Sequence, residues 1–128
     1  MKEHKGDRGS TAVEFALVVP ILLVMVLGMM EFGRAYYIQT VLSGAARDGV
    51  RVMALQNDQA AAKTMTKSGA FGLSLTDAQI VVTPASCAGT SPIPQATVTV
   101  KYAMPYVTTF FGSSPLNLTG KGVMLCAG

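Results

Sequence analysis

The residues able to do chemistry are few and far apart. Two thiols, Cys87 and Cys126, lie in the C-terminal part of the chain, with no histidine near them to complete a zinc set. In an oxidising compartment they would form one disulfide tying the last strand to an internal loop; in a reducing one they would be two small buried hydrophobes. The single histidine, His4, lies in a polar leader, so no serine or cysteine has a histidine base to activate it. The carboxylates Glu14, Glu31, Asp48, Asp58 and Asp77 are spread along the chain and form no acid-base pair or metal site. Phosphate-binding glycine loops are absent from the sequence. These residues predict no enzyme, no cofactor, no metal and no small-molecule substrate. One group has an unusual position: Glu14 stands at the mouth of an apolar run, five residues after Gly9. A carboxylate beside hydrocarbon is costly unless a partner or the membrane surface relieves it.

The elements that hold these residues follow from the hydropathy pattern. Residues 1–9 are polar, and Lys2, Lys5 and Arg8 are set against Glu3 and Asp7. From 10 to 30 the one charged residue is Glu14, and a helix of that length spans about 30 Å, one hydrocarbon core. Pro20 removes a backbone hydrogen bond within it, which membrane helices tolerate. A cleaved secretory signal would pass the same hydropathy test, but Gly28 is followed by Met29, Met30 and Glu31, a poor cleavage site. The segment therefore reads as a retained anchor. With the short N-terminus in the cytoplasm and the cysteines outside, residues 31–128 form an exported domain, although Arg34 follows the span closely on the outer side.

Helical periodicity continues past the span. Phe32, Ala35, Tyr36, Gln39, Leu42, Ala46, Gly49, Val50 and Met53 recur at three- and four-residue steps, with Arg34, Ser43, Arg47, Asp48 and Arg51 between them. This predicts an amphipathic continuation over 31–55. Its small residues, Ala35, Gly44, Ala45, Ala46 and Gly49, would admit either the backbone of another chain or the protein's own sheet. Asp58 predicts a cap for a short helix over 59–67. The period then changes to two. Strands are expected at about 78–83, 96–104 and 116–126, with Val98, Val100, Tyr102 and Met104 sharing one face of the second. The Phe110–Phe111 pair reads either as an exposed contact point or as a plug over the sheet core. The sum is an α+β fold: a long N-terminal helix packed on a small antiparallel sheet. A net charge of +3, with basic residues standing singly, excludes nucleic acid as a partner.

Gly9, four residues, then Glu14 and Phe15, followed directly by an apolar helix, resembles the processing motif of type IVb prepilins. Met30-Glu31-Phe32-Gly33-Arg34-Ala35 and Ala45-Ala46-Arg47-Asp48-Gly49-Val50-Arg51 are similar to characteristic segments of TadE-like proteins, pilin-like minor components of the tight-adherence (Tad) pilus machinery. The resemblance covers about residues 8–55; beyond them it extends only to layout. It implies a pilin-like fold and a substrate for a membrane-embedded prepilin peptidase, cut between Gly9 and Ser10. Ser10 would become the mature N-terminus, where many pilins carry a methylatable phenylalanine, and Glu14 the fifth mature residue. It further implies that Glu14 pairs with an N-terminal amine during assembly, so that Ser10 and Glu14 set the stagger of neighbouring helices. The plainer reading of Glu14 is a carboxylate at the membrane interface, six residues from Arg8. Implied partners are the peptidase, other pilin-like subunits, Tad assembly proteins and inner-membrane lipid. The implied location is the bacterial inner membrane, with the C-terminal domain periplasmic or carried into a pilus. An uncleaved anchor presenting a periplasmic binding domain is the alternative.

Overall fold

A 50-residue helix opens the chain: α1, Asp7–Gln56. A computed structural model describes residues 7–89 and 92–127; most of the polar leader, residues 1–6 with His4, lies outside the described residues. After α1 come α2 (Gln59–Gly69), a short 3₁₀ turn (Asp77–Gln79), β1 (Ile80–Thr83), β2 (Gln95–Met104), a second 3₁₀ turn (Thr109–Phe111) and β3 (Leu116–Leu125). The fold is α+β, as the change of period implies. The chain divides into two units, Met1–Arg34 and Ala35–Gly128. In the first, the described residues are all α1, and the helix continues through Pro20.

In the second unit the three strands form one antiparallel sheet in the order β1-β2-β3. Val98 pairs with Val82 on one side and Gly122 on the other; Val100 likewise faces Ile80 and Gly120. Alternation along β2 buries Ala96, Val98, Val100 and Met104 and half-buries Tyr102, while Gln95, Lys101 and Ala103 face solvent. β1 begins at Ile80, later than the expected position 78, because Ala78 and Gln79 lie in the 3₁₀ turn, where the Thr76 N–H donates to Gln79 Oε1 (2.8 Å). A cis peptide joins Thr83 to Pro84 just beyond β1.

The second part of α1 covers the apolar face of this sheet. Ile38, Leu42, Ala45, Ala46, Val50, Met53 and Ala54 are buried, and Ala35, Gln39 and Val52 are half-buried. This differs from the expected face at its start: Phe32 and Tyr36 are 75% and 69% exposed. Tyr36 lies two residues from Ile38, which on a helix is the opposite side. Truncation of Leu42 or Met53, both fully buried, would cost about 2–5 kcal/mol each.

The small residues of α1 admit this chain's own backbone. A Cβ added at Gly120 would lie 2.5 Å from the carbonyl carbon and oxygen of Leu42; one at Gly122 would lie 2.6 Å from the Ala46 carbonyl oxygen. A Cβ added at Gly49 would meet the Thr66 side chain of α2, and one added at Gly69 of α2 would lie 3.2 Å from Ala45 Cα. So α1 approaches β3 on one side and α2 on the other at distances that exclude side chains. Gly44 has open space around it.

The connections are as local chemistry demands. Asp58 caps α2, its carboxylate accepting from the N–H groups of Ala60 (2.9 Å) and Ala61 (3.1 Å). Gln59 Nε2 donates to the carbonyls of Val82 (3.1 Å) and Pro84 (3.3 Å), holding α2 against the end of β1. Lys67 in the last turn of α2 pairs with Asp77, and that ammonium holds the Asp77 carboxyl below its ordinary range. Gly120→Ala is expected to destabilise the domain by about 1–3 kcal/mol through overpacking. Gly44→Ala, in open helix, is expected to stabilise it by about 0.5–1 kcal/mol. Denaturant midpoints of the two variants measure both effects.

Candidate processing site and disulfide-tied corner

Glycine, serine, glutamate and phenylalanine at 9, 10, 14 and 15 all lie on α1 and are all exposed. Helical geometry brings Ser10 and Glu14 together, since residues four apart stand one above the other on the same face with Cβ atoms about 5–6 Å apart. An amine at residue 10 and the Glu14 carboxylate would therefore share one side of the helix. Gly9 has nothing within 4 Å of the position its Cβ would occupy. No packing in the structure requires glycine there, in contrast to Gly120 and Gly122. The Gly9–Ser10 bond falls within the first turn of α1, which starts at Asp7, before the position 10 implied by the polar leader. Helix ends fray, and glycine lowers local helix stability by about 1 kcal/mol relative to alanine. This bond is thus among the easiest in α1 to unwind into an extended strand.

The apolar run behind the motif has no cover. Its most apolar 18-residue window has a mean hydropathy of 2.5, and none of that window is buried. Phe15, Leu17, Ile21 and Met29 each expose more than 60% of their surface. Leaving a row of side chains of this size in water forfeits about 1.5–3 kcal/mol for each. Among the described residues this is the one helix long and apolar enough to cross a membrane.

A second constellation lies at the far end of α1. Cys87 and Cys126 are joined by a disulfide, with their Cα atoms 5.6 Å apart and a sequence separation of 39. Both are buried. Asn57, immediately after α1, has φ of 52°, a left-handed conformation that asparagine tolerates better than most residues. Its side-chain oxygen accepts from the Cys87 N–H (2.5 Å), and its Nδ2 donates to Ser86 Oγ (3.2 Å). On the other cysteine, the Cys126 N–H donates to the Pro94 carbonyl and the Ala127 N–H to the Ala54 carbonyl, each at 3.0 Å. The end of α1, the loop after β1 and the chain's last residues are thus held at one corner. Asn57 stood in the sequence only as a break in helical period. Its role depends on Cys87, 30 residues away, and the available signal was asparagine at a helix end.

The carboxylates are spread over both units. Glu14, Asp48, Asp58 and Asp77 are exposed and Glu31 is buried. Among the described residues no three His, Cys, Asp or Glu side chains stand together as metal ligands. Phe110 and Phe111 meet edge to face, with centroids 5.5 Å apart and ring planes at 78°. They are 66% and 40% exposed. The pair is therefore no plug: the buried faces of Met104, Val98 and Val100 are already covered by α1.

One apolar N-terminal helix followed by a small α+β domain, with the helix shared between them, defines the class of this protein. Within that class the chain is similar to TadE-like proteins: the family model so described matches residues 9–51. That stretch, about a third of the chain, opens on Gly9, contains the apolar run and ends on the helix face that covers the sheet. It also agrees with the resemblance drawn from the sequence. No match is found among curated proteins or solved structures.

Removing the disulfide takes away a closed loop that, by chain entropy, contributes about 4 kcal/mol. Cys87→Ser with Cys126→Ser is expected to lower domain stability by about 2–4 kcal/mol, read from denaturant midpoints under non-reducing conditions.

Proposed function

We propose that this protein is a minor pilin-like component of a tight-adherence pilus assembly system, acting in pilus biogenesis and adhesion. A prepilin peptidase removes residues 1–9, and the mature chain, starting at Ser10, remains in the bacterial inner membrane with its disulfide-linked domain in the periplasm. The carrying observation is the family match that begins at Gly9, a glycine for which the fold has no packing use. A glycine without a packing role fits a residue read by an enzyme that must approach the backbone closely. The exposed apolar run supports the anchor, and the disulfide supports an oxidising compartment for the domain.

The role of Glu14 follows from the cut. Cleavage creates an ammonium at Ser10, on the same helix face as the Glu14 carboxylate. Where water is scarce neither charge is stable alone, and each favours a partner on its own or a neighbouring helix. Pairing between helices admits one stagger only, so the two charges set subunit register. The partners are then other pilin-like subunits, Tad assembly proteins and membrane lipid.

A second reading has one observation in its favour. α1 already runs through the Gly9–Ser10 bond. An uncleaved single-pass anchor presenting a periplasmic binding domain would keep that helix intact.

The two readings separate by intact mass and N-terminal sequencing from cells with and without prepilin peptidase. The expected result is a chain beginning at Ser10 only where the peptidase is present, and full-length chain for Gly9→Leu in both. Full-length wild-type chain in both strains establishes the uncleaved anchor instead. Glu14→Gln is expected to leave cleavage intact while weakening incorporation by about 3 kcal/mol, on the order of 100-fold, the scale for breaking a desolvated pair. Piliation counts and subunit cross-linking read that loss.

A further inference from the structure

The β2–β3 connection, residues 105–115, is longer than a hairpin needs and has an unusual surface. It holds no charged residue. Val107 and Phe110 are 71% and 66% exposed, and Phe111 is 40% exposed. Its second half is ordered around the 3₁₀ turn Thr109–Phe111, with Gly112 at φ of 124° ending it. This is an apolar tip held out on a structured loop.

Register within the Ala35–Gly128 unit places this tip. β3 runs in the same sense as α1: Gln39 Nε2 donates to the Thr119 carbonyl (2.7 Å), Gly120 lies against Leu42, and Gly122 lies against Ala46. Two strand residues from Gly120 to Gly122 match four helix residues from Leu42 to Ala46, so Leu116 stands about seven to eight helix residues before Leu42. That is the level of Ala35, where this unit begins. The corner held by Cys87, Cys126 and Asn57 lies at the opposite end, beside Ala54. The loop therefore projects from the end of the unit that is covalently continuous with the apolar run. Tyr36 and Tyr37, at the same end, are 69% and 59% exposed.

We propose that this end of the domain contacts the lipid bilayer, with the 105–115 loop seated in the headgroup region and Phe110, Phe111 and Val107 reaching the acyl boundary. Aromatic side chains concentrate at that depth in membrane proteins. An uncharged loop enters it without the desolvation of an ionised group, and the hydroxyls of its exposed Thr109, Ser113 and Ser114 find partners among headgroups. The tip gives the domain a foothold on lipid in addition to the span. The proposal rests on the reading of residues 10–30 as a membrane span.

The chain contains no tryptophan, so single tryptophans report depth against a dark background. Full-length Phe110→Trp, Leu22→Trp and Leu125→Trp proteins are reconstituted in phosphatidylcholine–phosphatidylglycerol vesicles carrying a nitroxide at the headgroup or at the acyl-chain end. Phe110→Trp is expected to lose about half its emission to the headgroup label and less to the deep one, as for an interfacial aromatic. Leu22→Trp should be quenched by the deep label and Leu125→Trp by neither. Phe110→Trp emission that neither label quenches overturns the proposal while leaving the span intact, and if it is also blue-shifted a protein partner covers the tip. Quenching of Leu125→Trp to the same degree overturns it as well, since the sheet then lies flat on the bilayer. Unquenched Leu22→Trp removes the span and the proposal together.

Discussion

The close approach of α1 to β3 sets the terms for the Ala35–Gly128 unit. Three strands make a sheet with one apolar face, and a sheet that small does not stand without a cover. Gly120 and Gly122 let the helix backbone at Leu42 and Ala46 come down onto the strand, closer than any side chain would permit. That contact brings Leu42 and Met53 into the layer formed by Val98, Val100 and Met104, all fully buried. α2 packs on the other flank of the same helix, where Gly49 admits Thr66. Helix, strand and second helix thus depend on a few positions where the side chain is missing.

The disulfide corner completes what the small core cannot do alone. A domain of this size buries limited apolar surface, and cross-linking is a usual supplement. Here the cross-link sits where three chain segments end. Asn57 turns the chain out of α1 and spends both halves of its amide on the cysteine loop, while Ala127 returns a hydrogen bond to Ala54. The far end of α1 is thereby held without lengthening the sheet.

Different physics governs the first part of α1. None of its most apolar 18-residue window is buried, and that exposure is the reason for assigning it to lipid. In hydrocarbon a helix satisfies its own backbone, which is why one element serves both as span and as cover for a sheet. Gly9, ahead of the apolar run, has no close neighbour. Chemistry at that point would add a charge, and the added charge stands four residues from the one carboxylate in the run. The proposed cut, anchor and register would all fall on a single helix.

Much of this was legible in the residues themselves. Hydropathy over 10–30, the Asp58 cap and the alternation of β2 are local signals, and the family match lies on the motif segments that suggested it. Asn57 and the glycine pair of β3 carried signals that only gain meaning with a partner, because glycine in a strand announces a close approach without saying to what. Tertiary structure alone decided that the small residues of α1 receive this chain's own β3 and α2, that Ile38 turns inward while Phe32 and Tyr36 turn out, and that Phe110 and Phe111 stay exposed. The reason is physical: periodicity reports that a helix has an apolar side, whereas the exact edge of that side is drawn by where the covering sheet begins and ends. By itself the sequence determined the elements and the motif at Gly9 and Glu14; packing decided which surfaces the elements bury and which they leave exposed.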